Sequence, residues 1–173
     1  MQENRSFDSY FGTYPGANGL PTAGGRFTTC VPDPQSQTCV YPSHDASDRN
    51  GGGPHGQGAA TADVDGGKMD GFVGQAEKGA RGCGNVDAPE CSPTNKPDVM
   101  GYHDAREIPN YWAYAQNFVL QDRLFEPNAS WSLPQHLFMV SEWSARCPDP
   151  APMSCTNELQ SPQLPIDFSP NRA

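Results

Sequence analysis

The sequence has no long apolar run. Nowhere do enough hydrophobic residues follow one another to cross a bilayer as a helix, and no leader-like stretch is visible. Positive charge is scarce as well: 11 Lys and Arg stand against 20 Asp and Glu, a formal net charge of −9. Such a balance repels a nucleic-acid backbone or an anionic membrane surface. A phosphate-bearing substrate would need a cation or a local cluster of donors against that background, which favours a metal over an arginine-lined site. The cysteines lack the C-x-x-C spacing of zinc knuckles. Lys68 is followed by Met69, where a phosphate-cradling P-loop needs Ser or Thr. There are no internal repeats, and hydrophobic residues make up only 35% of the chain.

What is abundant is Gly and Pro, at 18 each. With so few hydrophobic residues, that points to a loop-rich chain, or to part of a larger domain whose core is completed elsewhere. The six cysteines fall into three close pairs: Cys30 with Cys39, Cys83 with Cys91, and Cys147 with Cys155. The spacing suggests three local disulfides, each pinning a loop, and hence an oxidising compartment, so a secreted or periplasmic protein. Reduced thiols in a cytosolic protein are the alternative. Motif-like sequence follows Met1 at once, and Leu164 to Ala173 ends without a capping helix or polar tail. The expectation is a stretch of a longer protein.

Along the chain, residues 1–12 are compact and motif-like, while residues 13–66 and 147–173 are rich in turn formers and read as mostly irregular loops. Residues 67–104 mix short apolar patches with the second cysteine loop. Residues 105–146 carry the strongest periodicity. Ile108, Tyr111, Trp112, Ala115, Phe118 and Val119 recur at helical spacing, and Pro109 fits only a first turn, so a helix should start near Glu107. Phe118 to Phe125 looks like a short buried strand. A second helix is expected from about Leu133 to Trp143, with Pro134 in its first turn.

Three places could carry chemistry. Glu3-Asn4 offers two hard oxygen ligands, or else a polar surface turn. Ser132 stands before a helix start, where a hydroxyl caps the helix or uses its positive end for phosphate chemistry; His136 is one turn on. Asp65-Gly-Gly-Lys-Met-Asp-Gly-Phe72, with His55 upstream, has phosphate-site or metal-site groups, or is a solvated turn. Asn128-Ala-Ser130 matches a glycosylation sequon, a weak pattern by itself.

Taken together, the pieces have a likeness. Met1-Gln-Glu-Asn-Arg-Ser-Phe-Asp8 with Tyr10-Phe-Gly12 closely resembles the start of the bacterial phosphoesterases, a family of phosphatidylcholine-cleaving phospholipases C and a related acid phosphatase. Gly66 to Phe72 resembles the family's G-K-M-D-G-F segment. Met100-Gly-Tyr-His-Asp104 with Arg106-Glu-Ile-Pro109 and Tyr111-Trp112 resembles its next segment, and Asp122 to Phe125 the approach to its nucleophile. The resemblance implies an α/β fold, an alkaline-phosphatase-like α/β/α sandwich. Residues 1–173 would be a partial domain, its first strand and C-terminal half missing, and inactive alone. By the same likeness Glu3, Asn4 and Ser132 hold a divalent metal ion, with paired aspartates outside the chain. Ser132 is the nucleophile, placed by Pro134-Gln-His-Leu-Phe138, although Ser130-Trp131-Ser132 stands where Gly-Pro-Thr is common; Ser130 is a weaker rival. His55 and His136 would touch the substrate. The implied activity is phospholipase C-like cleavage of a phosphodiester, with a phospholipid as one possible substrate. The alternatives are a monoester-cleaving acid phosphatase and a secreted binding module without catalysis.

Overall fold

The computed structural model describes residues 5–47, 52–80, 98–126 and 132–159. The chain divides into two compact units. One comprises residues 1–54 and 62–125, and the other residues 55–61 and 126–173.

The first unit opens with a one-turn helix, α1 (Phe7–Phe11). Ser6 caps it, its hydroxyl accepting the Ser9 amide at 3.2 Å, and Asp8 lies in the first turn where the helix dipole favours an acid. A helix this short cannot hold itself together. Two of its C-terminal carbonyls find partners far along the chain: the Ser9 carbonyl accepts the His103 amide at 2.8 Å and the Tyr10 carbonyl the Trp112 indole N–H at 3.0 Å. Strands β1 (Thr22–Ala23) and β2 (Arg26–Phe27) pair antiparallel across Gly24-Gly25, both with positive φ as a two-residue hairpin turn requires. Strands β3 (Val31–Asp33) and β4 (Thr38–Val40) form a second hairpin. Its turn is stabilised by the Asp33 carboxylate, whose Oδ1 accepts the amides of Gln35 at 2.8 Å and Ser36 at 2.9 Å. The Cys30–Cys39 disulfide closes this hairpin.

Strand β5 (Ser43–His44) follows, then α2 (Gln57–Val64), whose residues 57–61 belong to the second unit, and α3 (Phe72–Ala80). Val73 on α3 is fully buried, and α3 packs on β3, whose Val31 is 6% exposed. These two valines are the only buried hydrophobic residues among those described. Strand β6 (Gly101–Tyr102) pairs parallel with β5 and leads to α4 (Pro109–Asn117), with Pro109 in its first turn. Every sheet among the described residues has two strands. The result is a mixed α and β chain with no closed barrel among these residues.

The periodicity of α4 holds in part. Ile108, Tyr111, Trp112 and Ala115 are half-buried, but Phe118 is 76% and Val119 83% exposed. The helix stops at Asn117 and Phe118 is extended, so those two side chains leave the helical face. The strand expected at residues 118–125 is absent. This segment runs irregularly with Leu124 and Phe125 exposed, and is tied down where the Asn18 amide donates to Asp122 Oδ2 at 2.9 Å. An apolar run becomes a strand only when another strand takes up its backbone groups, and no described residue does so.

In the second unit, α5 (Ser132–Ser141) carries the buried Pro134 in its first turn. It ends two residues before Trp143, because Glu142 adopts a left-handed φ of 64°. Strands β7 (Ala145–Arg146) and β8 (Thr156–Asn157) then pair antiparallel, and the Cys147–Cys155 disulfide bridges the loop between them. The Ser144 amide donates to the Asn157 side-chain oxygen at 3.0 Å, and the Glu158 amide to the Ser144 carbonyl at 2.7 Å. Two of the three expected disulfides are thus present; Cys83 and Cys91 lie outside the described residues. Among the described residues, no helix is long and apolar enough to cross a membrane.

Candidate functional site

The predicted site residues fall in different places. Glu3 and Asn4 lie outside the described residues, which begin at Arg5. Ser132 is the first residue of α5 and half-buried, and His136 stands four positions on, also half-buried. An i, i+4 pair shares one helix face, so the helix brings these two together. The first turn of a helix carries positive potential, the environment a phosphoryl oxygen seeks, although Pro134 removes one of the four N–H groups that α5 would otherwise present there. His55 is exposed in the irregular segment ahead of α2.

The Asp65–Phe72 segment has a structural explanation. Asp65, Gly66, Gly67 and Met69 all adopt positive φ, folding the chain sharply between α2 and α3. Lys68 Nζ is 2.7 Å from Asp65 Oδ2. That contact holds the Asp65 carboxyl below its ordinary range and raises the lysine. Gly71 lies against the Ala62 carbonyl, where any Cβ would collide with backbone. A groove of about 440 Å³ runs beside this segment, bounded by Pro32, Pro34 and Gly74. Asp65, Asp70, Glu77 and Lys78 line it, a negative surplus that opposes a phosphate. The segment thus has the geometry of a turn, one of its two readings from sequence.

A second cluster was not visible in the sequence. The parallel β5–β6 register sets His44 opposite Tyr102 and so beside the Asp104–Glu107 turn. His44 Nε2 lies 2.9 Å from Glu107 Oε2 and 3.9 Å from Asp104 Oδ2, and its ring meets Tyr102 edge-on at 5.7 Å. One donor atom from each of His44, Asp104 and Glu107 can be chosen so that all lie within 4.8 Å, close enough to hold a small cation. The carboxylates are, however, already engaged. Arg106 donates to Asp104 through Nε at 2.9 Å and Nη2 at 2.7 Å. The Asp104 amide donates to Glu107 Oε2 at 3.2 Å. Arg106 holds the Asp104 carboxyl down at about 2, and the His44 hydrogen bond lowers Glu107. Asp104 thus shares its oxygens with the Arg106 fork, and the four side chains form a charge clamp between β5 and the start of α4. Asp104 and Glu107 stood within recognisable motifs; nothing in the sequence signalled His44.

The groups named from sequence at Glu3, Asn4 and Ser132 are a carboxylate, a carboxamide and a hydroxyl, all hard oxygen donors; Glu3 and Asn4 lie outside the described residues.

The opening segment and the Met100–Trp112 segment are locked together. Tyr10 packs on His103 at 5.9 Å and on Tyr111 at 5.2 Å between ring centroids, and Tyr14 meets Trp112 at 4.9 Å. Two sequence blocks that look independent thus form one packed layer. The model of the phosphoesterase family matches residues 1–166, nearly the entire sequence. This chain belongs to the phosphoesterase family.

Proposed function

We propose that this chain contributes the nucleophile and one side of the metal site to a phosphoric ester hydrolase that cleaves phosphodiesters in the manner of a phospholipase C. Family membership supports phosphoester hydrolysis in general. The placement of Ser132 at the head of α5 supports the more specific reading.

In this mechanism Ser132 Oγ attacks phosphorus in line. The new Ser132 oxygen–phosphorus bond forms as the bond to the leaving alcohol breaks, and the alcohol oxygen takes up a proton. Water then attacks the phosphoserine, releasing the phosphate product and restoring the hydroxyl. Backbone N–H groups around Leu133 steady the equatorial oxygens through both steps. His136, on the same helix face, and His55 contact substrate oxygens. Glu3, Asn4 and Ser132 would hold a divalent cation, which supplies Lewis acidity toward the hydroxyl and the phosphoryl oxygen.

The wider reading is an alkaline-phosphatase-like sandwich of which residues 1–173 form part. The parallel β5–β6 pair supports it, as does the apolar character of residues 118–125. Export to an oxidising compartment is supported by the two disulfides.

In the intact protein, Ser132→Ala should reduce turnover at least about a thousandfold, in line with loss of the nucleophile, while the circular dichroism spectrum stays the same. Turnover near that of the unaltered protein removes Ser132 from this role. Comparing p-nitrophenylphosphorylcholine with p-nitrophenyl phosphate distinguishes diester from monoester cleavage. Failure to hold a divalent metal or to respond to vanadate favours a non-catalytic binding module.

A further inference from the structure

The β5–β6 register does more than pair two short strands: it brings an imidazole against two carboxylates. The side chains of His44, Asp104 and Glu107 are 25%, 21% and 16% exposed, so none of the three is a freely solvated surface group. Donors bound tetrahedrally to zinc at about 2.1 Å lie about 3.4 Å from one another. The 2.9 Å between His44 Nε2 and Glu107 Oε2 is slightly shorter than that, and the 3.9 Å from Nε2 to Asp104 Oδ2 slightly longer. Small side-chain shifts would centre an ion among them. Two carboxylates alone suit Mg²⁺ or Ca²⁺, whereas an imidazole nitrogen among the donors turns the preference toward zinc. Much of the arrangement is set in advance. His44 is held in β5, its ring meets Tyr102 edge-on at 5.7 Å, and the Asp104 amide donates to Glu107 Oε2 at 3.2 Å.

From this geometry we infer that His44, Asp104 and Glu107 form a zinc-binding site that ties β5 to the turn before α4, with the fourth position taken by water. Zinc needs the Nε2 lone pair, so a proton there is released to solvent and the direct His44–Glu107 contact gives way to two bonds to the ion. Arg106 competes for Asp104. Its Nε donates to Oδ1 at 2.9 Å and its Nη2 to Oδ2 at 2.7 Å, and its charge has the same sign as that of zinc. The site shares no residue with the Glu3, Asn4 and Ser132 set and does not rest on the role proposed for those residues.

The intact protein, stripped of metal, is titrated with Zn²⁺ by calorimetry in excess Mg²⁺, which occupies all-oxygen sites. His44→Ala and Glu107→Gln each remove a ligand and should weaken zinc binding at least about tenfold, no less than the loss of an outer-shell partner costs. Arg106→Gln removes the competitor and should tighten binding about twofold to fivefold, the worth of an exposed ion pair. Ser132→Ala should bind zinc as the unaltered protein does. X-ray absorption of the unaltered protein with one equivalent of zinc should show the outer-shell scattering of an imidazole. The inference is overturned by an all-oxygen absorption spectrum or by absence of binding, and both are read without any variant. Equal affinity in His44→Ala and the unaltered protein also overturns it. Arg106→Gln that binds no more tightly removes the competition for Asp104. Binding lost in Ser132→Ala but kept in His44→Ala would assign the ion to the Ser132 set, overturning this site and supporting that one.

Discussion

Four side chains at the start of α4 show how much of this chain's electrostatics is local. Asp104, Arg106 and Glu107 belong to one short turn, and only His44 comes from elsewhere. Both acids are depressed: Asp104 to about 2, first by Arg106, and Glu107 first by its hydrogen bond from His44. A carboxyl with a depressed native pKa adds stability that is complete above its unfolded value, near 3.8 for Asp and 4.5 for Glu, and is lost as pH falls through the native value. The clamp should therefore weaken as pH drops from about 5 toward 2. Arg106→Gln frees Asp104 to return toward its ordinary range. Its melting temperature should be lower at pH 6, and the fall in melting temperature between pH 4.5 and 2 shallower, than in the unaltered protein. Identical curves for the two proteins would mean that the Arg106–Asp104 fork contributes nothing to folding.

At the scale of elements, the Gly66–Phe72 segment is instructive because its chemistry and its geometry point in different directions. Its lysine and aspartates suggested a phosphate or metal site, yet Lys68 is paired with Asp65 and the neighbouring groove carries a negative surplus. Its glycines have a clearer purpose. Gly66 and Gly67 take positive φ, and Gly71 lets the start of α3 pass directly under the end of α2, where its amide donates to the Asp63 carbonyl at 3.2 Å. Gly71→Ala would push a methyl group into backbone, which cannot swing aside as a side chain can. We expect a loss of about 1–3 kcal/mol, typical of overpacking, seen as a lower urea midpoint. A midpoint unchanged within error would show that α2 and α3 can separate at little cost. The same logic applies to residues 118–125, whose apolar pattern met the demands of a strand while no described residue supplies the other half of the hydrogen-bond ladder.

For the whole molecule, the shortage of hydrophobic residues has a structural counterpart: Val31 and Val73 are the only buried hydrophobic side chains among the described residues. Cross-links take on more of the stabilisation when the core is this small. The Cys30–Cys39 bridge closes the hairpin that carries Val31. Replacing both cysteines with serine should lower the unfolding free energy by about 2–3 kcal/mol, the loop-closure contribution for so short a ring, measured by urea titration of the oxidised protein. No change in that free energy would assign the hairpin's stability to its turn and to the contact with α3 instead.

Local chemistry made certain features readable from the sequence alone. Ring closure fixes φ in proline, so Pro109 and Pro134 marked first turns correctly. Close spacing paired Cys30 with Cys39 and Cys147 with Cys155. The ordered motifs pointed to the family whose model matches residues 1–166. Tertiary structure alone decided the rest, because it depends on which distant backbone groups meet. The β5–β6 register delivered His44 to Glu107, 63 positions away, and the fold of α4 against α1 delivered Trp112 to the Tyr10 carbonyl, 102 positions away. A sequence pattern of period two or 3.6 describes the faces of one element and carries no record of its partner in space.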